Sequence, residues 1–228
     1  MVKTIFLDLD DTLLDFTMAE AAALTKAFRG FGVELSCDVV ARYHELNAAQ
    51  WRLLEKGKIT RAEVKTRRFE LLLAELGWEF PIDEVCRSYE TLLGEGHFFI
   101  PGAEEVLRQL APKYDLYLAS NGSLAVQRGR LKSAGIAPFF KGIFISEEMG
   151  HNKPAKAFFD ACFAQIPDFD PTAAIMVGDS LTSDIRGGLN AGIRTCWVNR
   201  TGEAPRADIV PDYTISDIRD LPALLERV

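Results

Sequence analysis

The sequence predicts an α/β protein: a mostly parallel β-sheet with helices on both faces, and a second, all-helical domain inserted after the first strand. From residue 100 onward, short apolar segments alternate with stretches of helical periodicity, which is typical of a parallel sheet. Between residues 18 and 96 only helical periodicity is found. The apolar segment at residues 4–9 must join the later strands, because alone it could not satisfy its backbone hydrogen-bonding groups.

The inserted segment is expected to form four helices, which follow the first strand at residues 4–9. Thr60 and Glu63 have the spacing of a capping box, which opens the third helix. Gly32 and Gly77 stand where the first and third helices should end. The four helices are expected at residues 19–31, 39–54, 61–76 and 82–93.

The remaining chain is predicted to alternate strands with helices. Strands are expected at residues 116–119, 143–145, 174–177, 195–198 and, more weakly, 213–215, and helices at 103–110, 125–134, 156–164 and 185–191. This order predicts a Rossmann-like core domain of residues 1–15 and 98–228 and a helical cap domain of residues 16–97. A cap beside the strand ends would also exclude water from a reaction there.

Composition limits the classes of partner. The chain has 228 residues, 48% hydrophobic and 26% charged, with a net charge of -7. This charge argues against a nucleic acid polymer or an acidic membrane as a partner, whereas a small phosphorylated ligand remains possible. The four cysteines are far apart in the sequence, which favours reduced thiols and no zinc site. Without a signal-peptide pattern or a membrane-spanning segment, we expect a cytoplasmic protein, either a monomer or a homodimer.

Carboxylates follow the first strand directly. Asp8 and Asp10 are separated by one residue, and the hydroxyl of Thr12 comes two residues later. Ligands of open parallel sheets bind at the carboxyl ends of the strands, so this segment offers a possible nucleophile, a general acid/base and a cation site. The alternative is a turn rich in Asp and Thr, which favour turns through side-chain to backbone hydrogen bonds.

Polar groups also follow three later strands. Ser120 and Asn121 precede a predicted helix and suit a phosphate-binding site or, alternatively, a helix cap. Lys153 lies in a loop and by itself would be expected in solvent. Asp179 and Asp184 follow the strand at 174–177, where a turn and the charge preference of a helix start are the structural alternatives. Because parallel strands place their carboxyl ends at one edge, all of these groups are expected to converge.

The order of these groups resembles the haloacid dehalogenase superfamily of aspartyl-nucleophile phosphatases. The resemblance is carried by Asp8, Asp10, Thr12, Ser120, Lys153, Asp179 and Asp184. It implies that Asp8 attacks phosphorus to form an aspartyl-phosphate and that Asp10 acts as general acid and then general base. Members that dehalogenate lack an acid at the position of Asp10, so phosphoryl transfer is favoured over carbon–halogen cleavage.

The resemblance also implies a cofactor. Mg²⁺ would be held by Asp8, the backbone carbonyl of Asp10 and Asp179, with water completing its coordination. Asp184 would orient Lys153 or a metal-bound water.

The phosphoryl group would be bound by several residues at the same edge. The resemblance implies that Lys153 neutralises the nucleophile and the phosphoryl group and that Ser120 holds a phosphoryl oxygen. Asn121 and Thr12 complete the expected phosphate-binding set, Thr12 also positioning its own loop. Asp11 has no assigned role and is interpreted as a turn or cap residue.

The expected cap resembles that of bacterial pyrimidine 5′-nucleotidases. The stretches that carry this second resemblance are residues 47–52, 56–60, 67–70, 146–150, 187–192 and 196–197. Candidate residues for lining a nucleobase slot are Phe16, Trp51, Arg68 and Phe69. Helix packing is the alternative for Trp51 and Phe69, and a solvated charge is the alternative for Arg68. His151 and Asn152 depart from the usual small or apolar residues before the Lys-Pro pair.

The sequence is consistent with several functions. The favoured one is a Mg²⁺-dependent phosphatase of nucleoside monophosphates such as UMP, dUMP and dTMP. Alternatives are a broad-specificity phosphatase of sugar phosphates or other small phosphometabolites, and a hexose-phosphate mutase with the same intermediate. A non-enzymatic alternative is a signalling module that accepts a phosphoryl group on Asp8.

Overall fold

The computed structural model describes residues 1–228, which divide into two compact units. The α/β unit comprises Met1–Asp15 and His97–Val228, and the helical unit comprises Phe16–Gly96. The border between them lies one residue before the border expected at residue 97. No helix combines the length and the apolar character needed to cross a membrane.

Six strands form one sheet in the α/β unit. They are β1 (Thr4–Leu7), β2 (Asp115–Ser120), β3 (Gly142–Ile145), β4 (Ala174–Gly178), β5 (Arg194–Val198) and β6 (Tyr213–Ile215). The spatial order is β3-β2-β1-β4-β5-β6, and every neighbouring pair is parallel. The predicted Rossmann-like α/β fold is therefore confirmed, including its weakest strand. The strand order reverses beside β1, which is where open sheets of this kind bind ligands.

The register of the central strands brings three strand ends to one level. Leu7, near the end of β1, pairs with Leu118 in β2 and Val177 in β4. The backbone N–H of Asp8 continues this ladder by donating to Val177 O at 3.0 Å. The residues that follow β1, β2 and β4 therefore emerge side by side at the carboxyl edge of the sheet.

The helical unit consists of four helices: α1 (Phe16–Gly30), α2 (Cys37–Glu55), α3 (Arg61–Leu76) and α4 (Ile82–Glu95). Each lies where a helix was predicted. The Thr60–Glu63 capping box is formed at the start of α3, and Gly77 ends that helix with a left-handed φ of 66°. Buried aromatic rings of α2, α3 and α4 pack together in its interior, namely Tyr43, Phe69 and Tyr89.

Helices cover both faces of the sheet. Alternate residues of a strand point to opposite sides, and here the residues on both sides are apolar and must be buried. Ile5 and Leu7 belong to one apolar cluster and Phe6 to the other. The helices of this unit are α5 (Ala103–Leu110), α6 (Leu124–Ala134), α7 (Ser146–Met149), α8 (Lys156–Phe163), α9 (Arg186–Ala191) and α10 (Leu221–Leu225). The sequence did not reveal α7 and α10, since four or five residues are too few for helical periodicity to show.

Candidate active site

Lys153 is the centre of a buried polar cluster at the carboxyl edge of the sheet. Only 1% of the residue is exposed. Its Nζ donates to Asp8 Oδ1 at 2.7 Å, to Asp184 Oδ1 at 2.6 Å and to the carbonyl oxygen of Ala119 at 2.6 Å. All three donor positions of the ammonium group are thus used. A lysine that would be solvated if it stood in an isolated loop is instead an internal counter-ion.

Asn121, which follows β2, fixes the backbone at Lys153. Its Oδ1 accepts from the Lys153 N–H at 2.9 Å, and its Nδ2 donates to the Lys153 carbonyl at 2.9 Å. Nδ2 also donates to Ser183 Oγ at 3.2 Å. The side-chain amide of Asn121 therefore binds protein groups on both sides and holds the lysine loop beside the strand ends. Ser120, at the end of β2, is fully buried.

Three carboxylates converge around the lysine. Oxygen atoms of Asp8, Asp179 and Asp184 all lie within 4.8 Å of one another. Burial raises the pKa of Asp8 to about 8, with repulsion from Asp184 adding to the rise and Lys153 opposing it. Burial and the charges of Asp184 and Asp8 raise the pKa of Asp179 well above its usual range.

The acidic cluster fits a hard divalent cation. Burial by itself lowers the pKa of Lys153, but the charges of Asp184 and Asp8 raise it overall, so the lysine stays charged. The raised pKa values of Asp8 and Asp179 show that their ionised forms lack sufficient positive charge nearby, although Lys153 is present. A set of carboxylate oxygens is the type of donor that Mg²⁺ and Ca²⁺ prefer.

The loop after β1 forms a turn that contacts Asp179 through a hydrogen bond. Asp11 has a left-handed φ of 55°, and its N–H donates to Leu14 O at 2.7 Å. Thr12 is fully buried, and its Oγ1 donates to Asp179 Oδ1 at 3.3 Å. Trp197 of β5 donates from Nε1 to the Asp179 carbonyl at 2.7 Å. Asp179 is therefore held through both its side chain and its backbone.

Asp184 lies in a π-helical turn, Leu181–Ile185, that leads into α9. π-helical turns are rare and often occur at functional sites. Asp184 is fully buried, and its Oδ2 accepts from the Ser180 N–H at 3.0 Å. A Cβ at Gly178 would lie 2.2 Å from this same oxygen, so only glycine leaves room for the carboxylate.

Two residues of this site were missed by the sequence reasoning. Gln127 and Arg130 on α6 are buried, and both hydrogen-bond the side chain of Asp10. The available signal was a pair of long polar side chains three residues apart, and this spacing is equally typical of a solvated helix face.

The four candidate specificity residues lie in the helical unit. Phe69 is fully buried, with its ring centre 5.1 Å from that of Tyr43. Arg68 is 3% exposed, donates to Asn47 Oδ1 at 3.0 Å and lies 4.8 Å over the Tyr89 ring, so the expected alternative of a solvated charge is wrong.

The other two candidates are more accessible than Arg68 and Phe69. Trp51 is half-buried, and the guanidinium of Arg61 lies 5.7 Å from its ring centre. Phe16, the first residue of α1, is also half-buried. Trp51 and Phe16 are therefore the two candidates that are not fully buried.

Comparison with known proteins identifies the family of this chain. Residues 2–192 match the family described as haloacid dehalogenase-like hydrolase. The chain belongs to this family. The predicted superfamily membership is thereby confirmed.

Curated members of the family are similar over nearly their whole length. The chain is 41% identical to the HAD-hydrolase YfnB of Bacillus subtilis, covering 98% of this chain and 95% of that protein. It is 37% identical to the pyrimidine 5′-nucleotidase PynA of Streptococcus pneumoniae, with coverages of 99% and 95%. It is 32% identical to the pyrimidine 5′-nucleotidase YjjG of Escherichia coli, with coverages of 97% and 96%. The chain is accordingly a hydrolase of the phosphatase type, as predicted.

A solved structure supports the same assignment. The crystal structure of YfnB bound to magnesium matches this chain with a TM-score of 0.94 and covers 98% of both chains. The identity over this match is 41%. The structural comparison thus agrees with the sequence comparison over almost the entire chain.

Proposed function

We propose that this haloacid dehalogenase-like hydrolase is a Mg²⁺-dependent phosphatase that prefers pyrimidine nucleoside 5′-monophosphates and forms an aspartyl-phosphate on Asp8. The observation that carries the chemistry is the contact between the Lys153 ammonium and the Asp8 carboxylate at the carboxyl edge of the sheet. The substrate preference is supported by the identities of 37% and 32% with two pyrimidine 5′-nucleotidases.

In the proposed reaction, an oxygen of Asp8 attacks phosphorus while the bond between phosphorus and the ester oxygen breaks. Asp10 gives its proton to the departing oxygen, which leaves as the nucleoside hydroxyl. Asp10 then takes a proton from the water that attacks the phosphorus of the aspartyl-phosphate, and this step restores Asp8 and releases phosphate. Lys153 offsets negative charge throughout, which matters because phosphate monoesters resist attack through their own charge.

The residues that would hold Mg²⁺ are Asp8, Asp179 and the Asp10 carbonyl, with Asp184 beside them. When bound, the ion supplies positive charge that offsets the repulsion between nucleophile and phosphoryl group. The proposed phosphate-binding groups are Ser120 and Asn121 at the end of β2, Lys153, and Thr12 in the loop after β1.

The setting of the enzyme is proposed from the chain's own chemistry. All four cysteines are free thiols, which supports a reducing compartment, and we propose the cytoplasm. A monomer or a homodimer remains the expected form. Its measured mass in solution, by light scattering during gel filtration, distinguishes the two.

The test of the proposed function is phosphate release from a panel of nucleoside monophosphates, sugar phosphates and phospho-amino acids, with Mg²⁺ and with EDTA. We expect the highest kcat/KM on UMP, dUMP or dTMP and no release in EDTA. Equal activity across the panel would overturn the nucleotidase preference and leave a general phosphatase. Conversion of a hexose phosphate to its isomer would indicate a mutase, whereas a stable phosphoryl-enzyme without turnover would indicate a signalling role.

Trp51→Ala tests whether the helical unit supplies nucleobase recognition. We expect it to raise KM for UMP by about 10-fold, the effect of one lost apolar contact, while ribose 5-phosphate hydrolysis changes little. Arg52→Ala, at the exposed neighbouring position, is the matched control. A parallel loss on both substrates would assign Trp51 to helix packing.

Mg²⁺ is expected to stabilise the folded enzyme. At about 100 times its dissociation constant, it should raise Tm by about 5–10 °C, because it binds the folded acidic cluster and not the unfolded chain. Differential scanning fluorimetry with MgCl₂ measures the shift. Asp179→Asn should remove most of this shift in Tm. Asp208→Asn should retain the shift, because Asp208 is an exposed residue that pairs with Arg186. An equal shift in both variants would place the cation elsewhere.

A further inference from the structure

We propose that Gln127 and Arg130 of α6 are positioning residues that hold the Asp10 carboxyl group beside the hydroxyl of Ser120. This proposal rests on the proposed function, in which Asp10 passes its proton to the departing ester oxygen. It adds two buried residues that would act through Asp10 and Ser120.

Both oxygens of Asp10 are held from the same helix. Gln127 Nε2 donates to Asp10 Oδ2 at 2.7 Å, and Arg130 Nη1 donates to Asp10 Oδ1. Gln127 is 2% exposed and Arg130 is fully buried, while a quarter of the Asp10 side chain remains exposed. The carboxyl group is therefore hydrogen-bonded to α6 on one side and accessible to solvent on the other.

One amide group links the acid/base residue to the phosphate site. Gln127 Nε2 also donates to Ser120 Oγ, at 2.8 Å. Since Oγ accepts from Gln127, the hydroxyl hydrogen of Ser120 is free to point elsewhere and to donate to a phosphoryl oxygen. A single side chain therefore sets both the placement of Asp10 and the donor role of Ser120.

The orientation of the Gln127 amide is determined by Arg130. Arg130 Nη1 lies 3.3 Å from Gln127 Oε1, and because a guanidinium has no acceptor, the oxygen end of the amide must face it. The nitrogen end is then directed at Asp10 and Ser120. A Cβ at Gly122 would lie 2.8 Å from Gln127 Cγ, so the glycine after Asn121 leaves the space that this arrangement occupies.

Stability alone does not account for this arrangement. Buried ion pairs are often no more stabilising than well-packed apolar residues of similar size, because the charges lose their hydration. Positioning of a reacting group supplies a reason, since a displacement of about 1 Å at such a group can cost about 100-fold in rate.

The test compares two esters that differ in leaving group. UMP releases a poor leaving group that needs a proton, whereas p-nitrophenyl phosphate releases a good one that does not. The kcat/KM value reports phosphoryl transfer to Asp8, so the two substrates isolate the proton transfer. For Gln127→Leu we expect kcat/KM to fall by about 10- to 100-fold on UMP and by less than about 3-fold on p-nitrophenyl phosphate.

Two further variants make the comparison specific. Asp10→Asn should show the same bias toward UMP, and adding Gln127→Leu to it should lower kcat/KM by less than about 2-fold, because coupled residues are not additive. Arg128→Ala, an exposed residue of the same helix that pairs with Glu148, should leave both values unchanged. Arg130→Lys keeps the positive charge but loses the planar guanidinium donors. Its kcat/KM on UMP should lie between those of the wild type and Arg130→Met.

Each result has a distinct meaning. Equal losses on both esters, or full additivity with Asp10→Asn, would overturn the positioning role and leave a packing role. If Arg130→Met does not fold, the Gln127→Leu series still decides the question, with circular dichroism as the check on its fold. A wild-type enzyme that hydrolyses neither ester would overturn the proposed function itself.

Discussion

Asp8→Asn is expected to lower phosphate release by about 10⁴- to 10⁶-fold, the loss typical of removing a covalent nucleophile. The amide that replaces the carboxylate is not a nucleophile toward phosphorus. The fold should persist, because the substitution removes one of three clustered, mutually repelling carboxyl groups while Lys153 keeps its contacts with Asp184 and the Ala119 carbonyl.

The measurement for Asp8→Asn is steady-state phosphate release together with a thermal melt in EDTA. Acid quenching with ³²P-labelled substrate should trap label on the wild-type protein and none on the variant. Asp115→Asn is the matched control and should retain activity, because Asp115 is a half-buried residue at the start of β2 that pairs with Lys141. Near-wild-type turnover by Asp8→Asn would mean that another group attacks phosphorus.

Lys153→Ala is expected to destabilise the α/β unit by about 3–5 kcal/mol and to abolish activity. It leaves Asp8, Asp179 and Asp184 within 4.8 Å of one another with no internal counter-ion, and it removes three hydrogen bonds. Added Mg²⁺ should restore part of the stability, since a cation can take over the charge compensation, but not the turnover.

Urea unfolding followed by circular dichroism measures this effect. The control is Lys156→Ala, whose side chain is 60% exposed and pairs with Asp160 on the same helix. Exposed pairs of this kind contribute little, so the control should change stability by less than about 1 kcal/mol. If the two lysine variants were equally stable, the internal ion cluster would not be a determinant of the fold.

The convergence of Asp8, Ser120 and Asp179 was predictable from sequence order alone. Each of these residues ends or follows an apolar segment, and parallel strands place their carboxyl ends at one edge. The helical segment was equally predictable, because four long amphipathic stretches with glycine stops and a capping box allow few other structures. These features are local or periodic, and so the order of residues specifies them.

The position of Arg68 was not predictable in the same way. A long charged side chain on a helix is expected in solvent, yet here it is buried over the Tyr89 ring and donates to Asn47. The packing of α2, α3 and α4 decides which stripe of α3 faces inward, and a hydrogen-bond partner and an aromatic ring on neighbouring helices compensate the charge.

The sequence by itself determined the α/β class, the insertion of a helical segment and the order in which Asp8, Lys153, Asp179 and Asp184 follow the strands of the sheet. Only the tertiary structure decided that Lys153 is a buried counter-ion and that Gln127 and Arg130 hydrogen-bond the Asp10 carboxyl group. The physical reason is distance along the chain. Gln127 and Arg130 lie 117 and 120 residues from Asp10 along the chain. Their contacts with Asp10 depend on how α6 packs beside the loop that follows β1, which no local sequence pattern specifies.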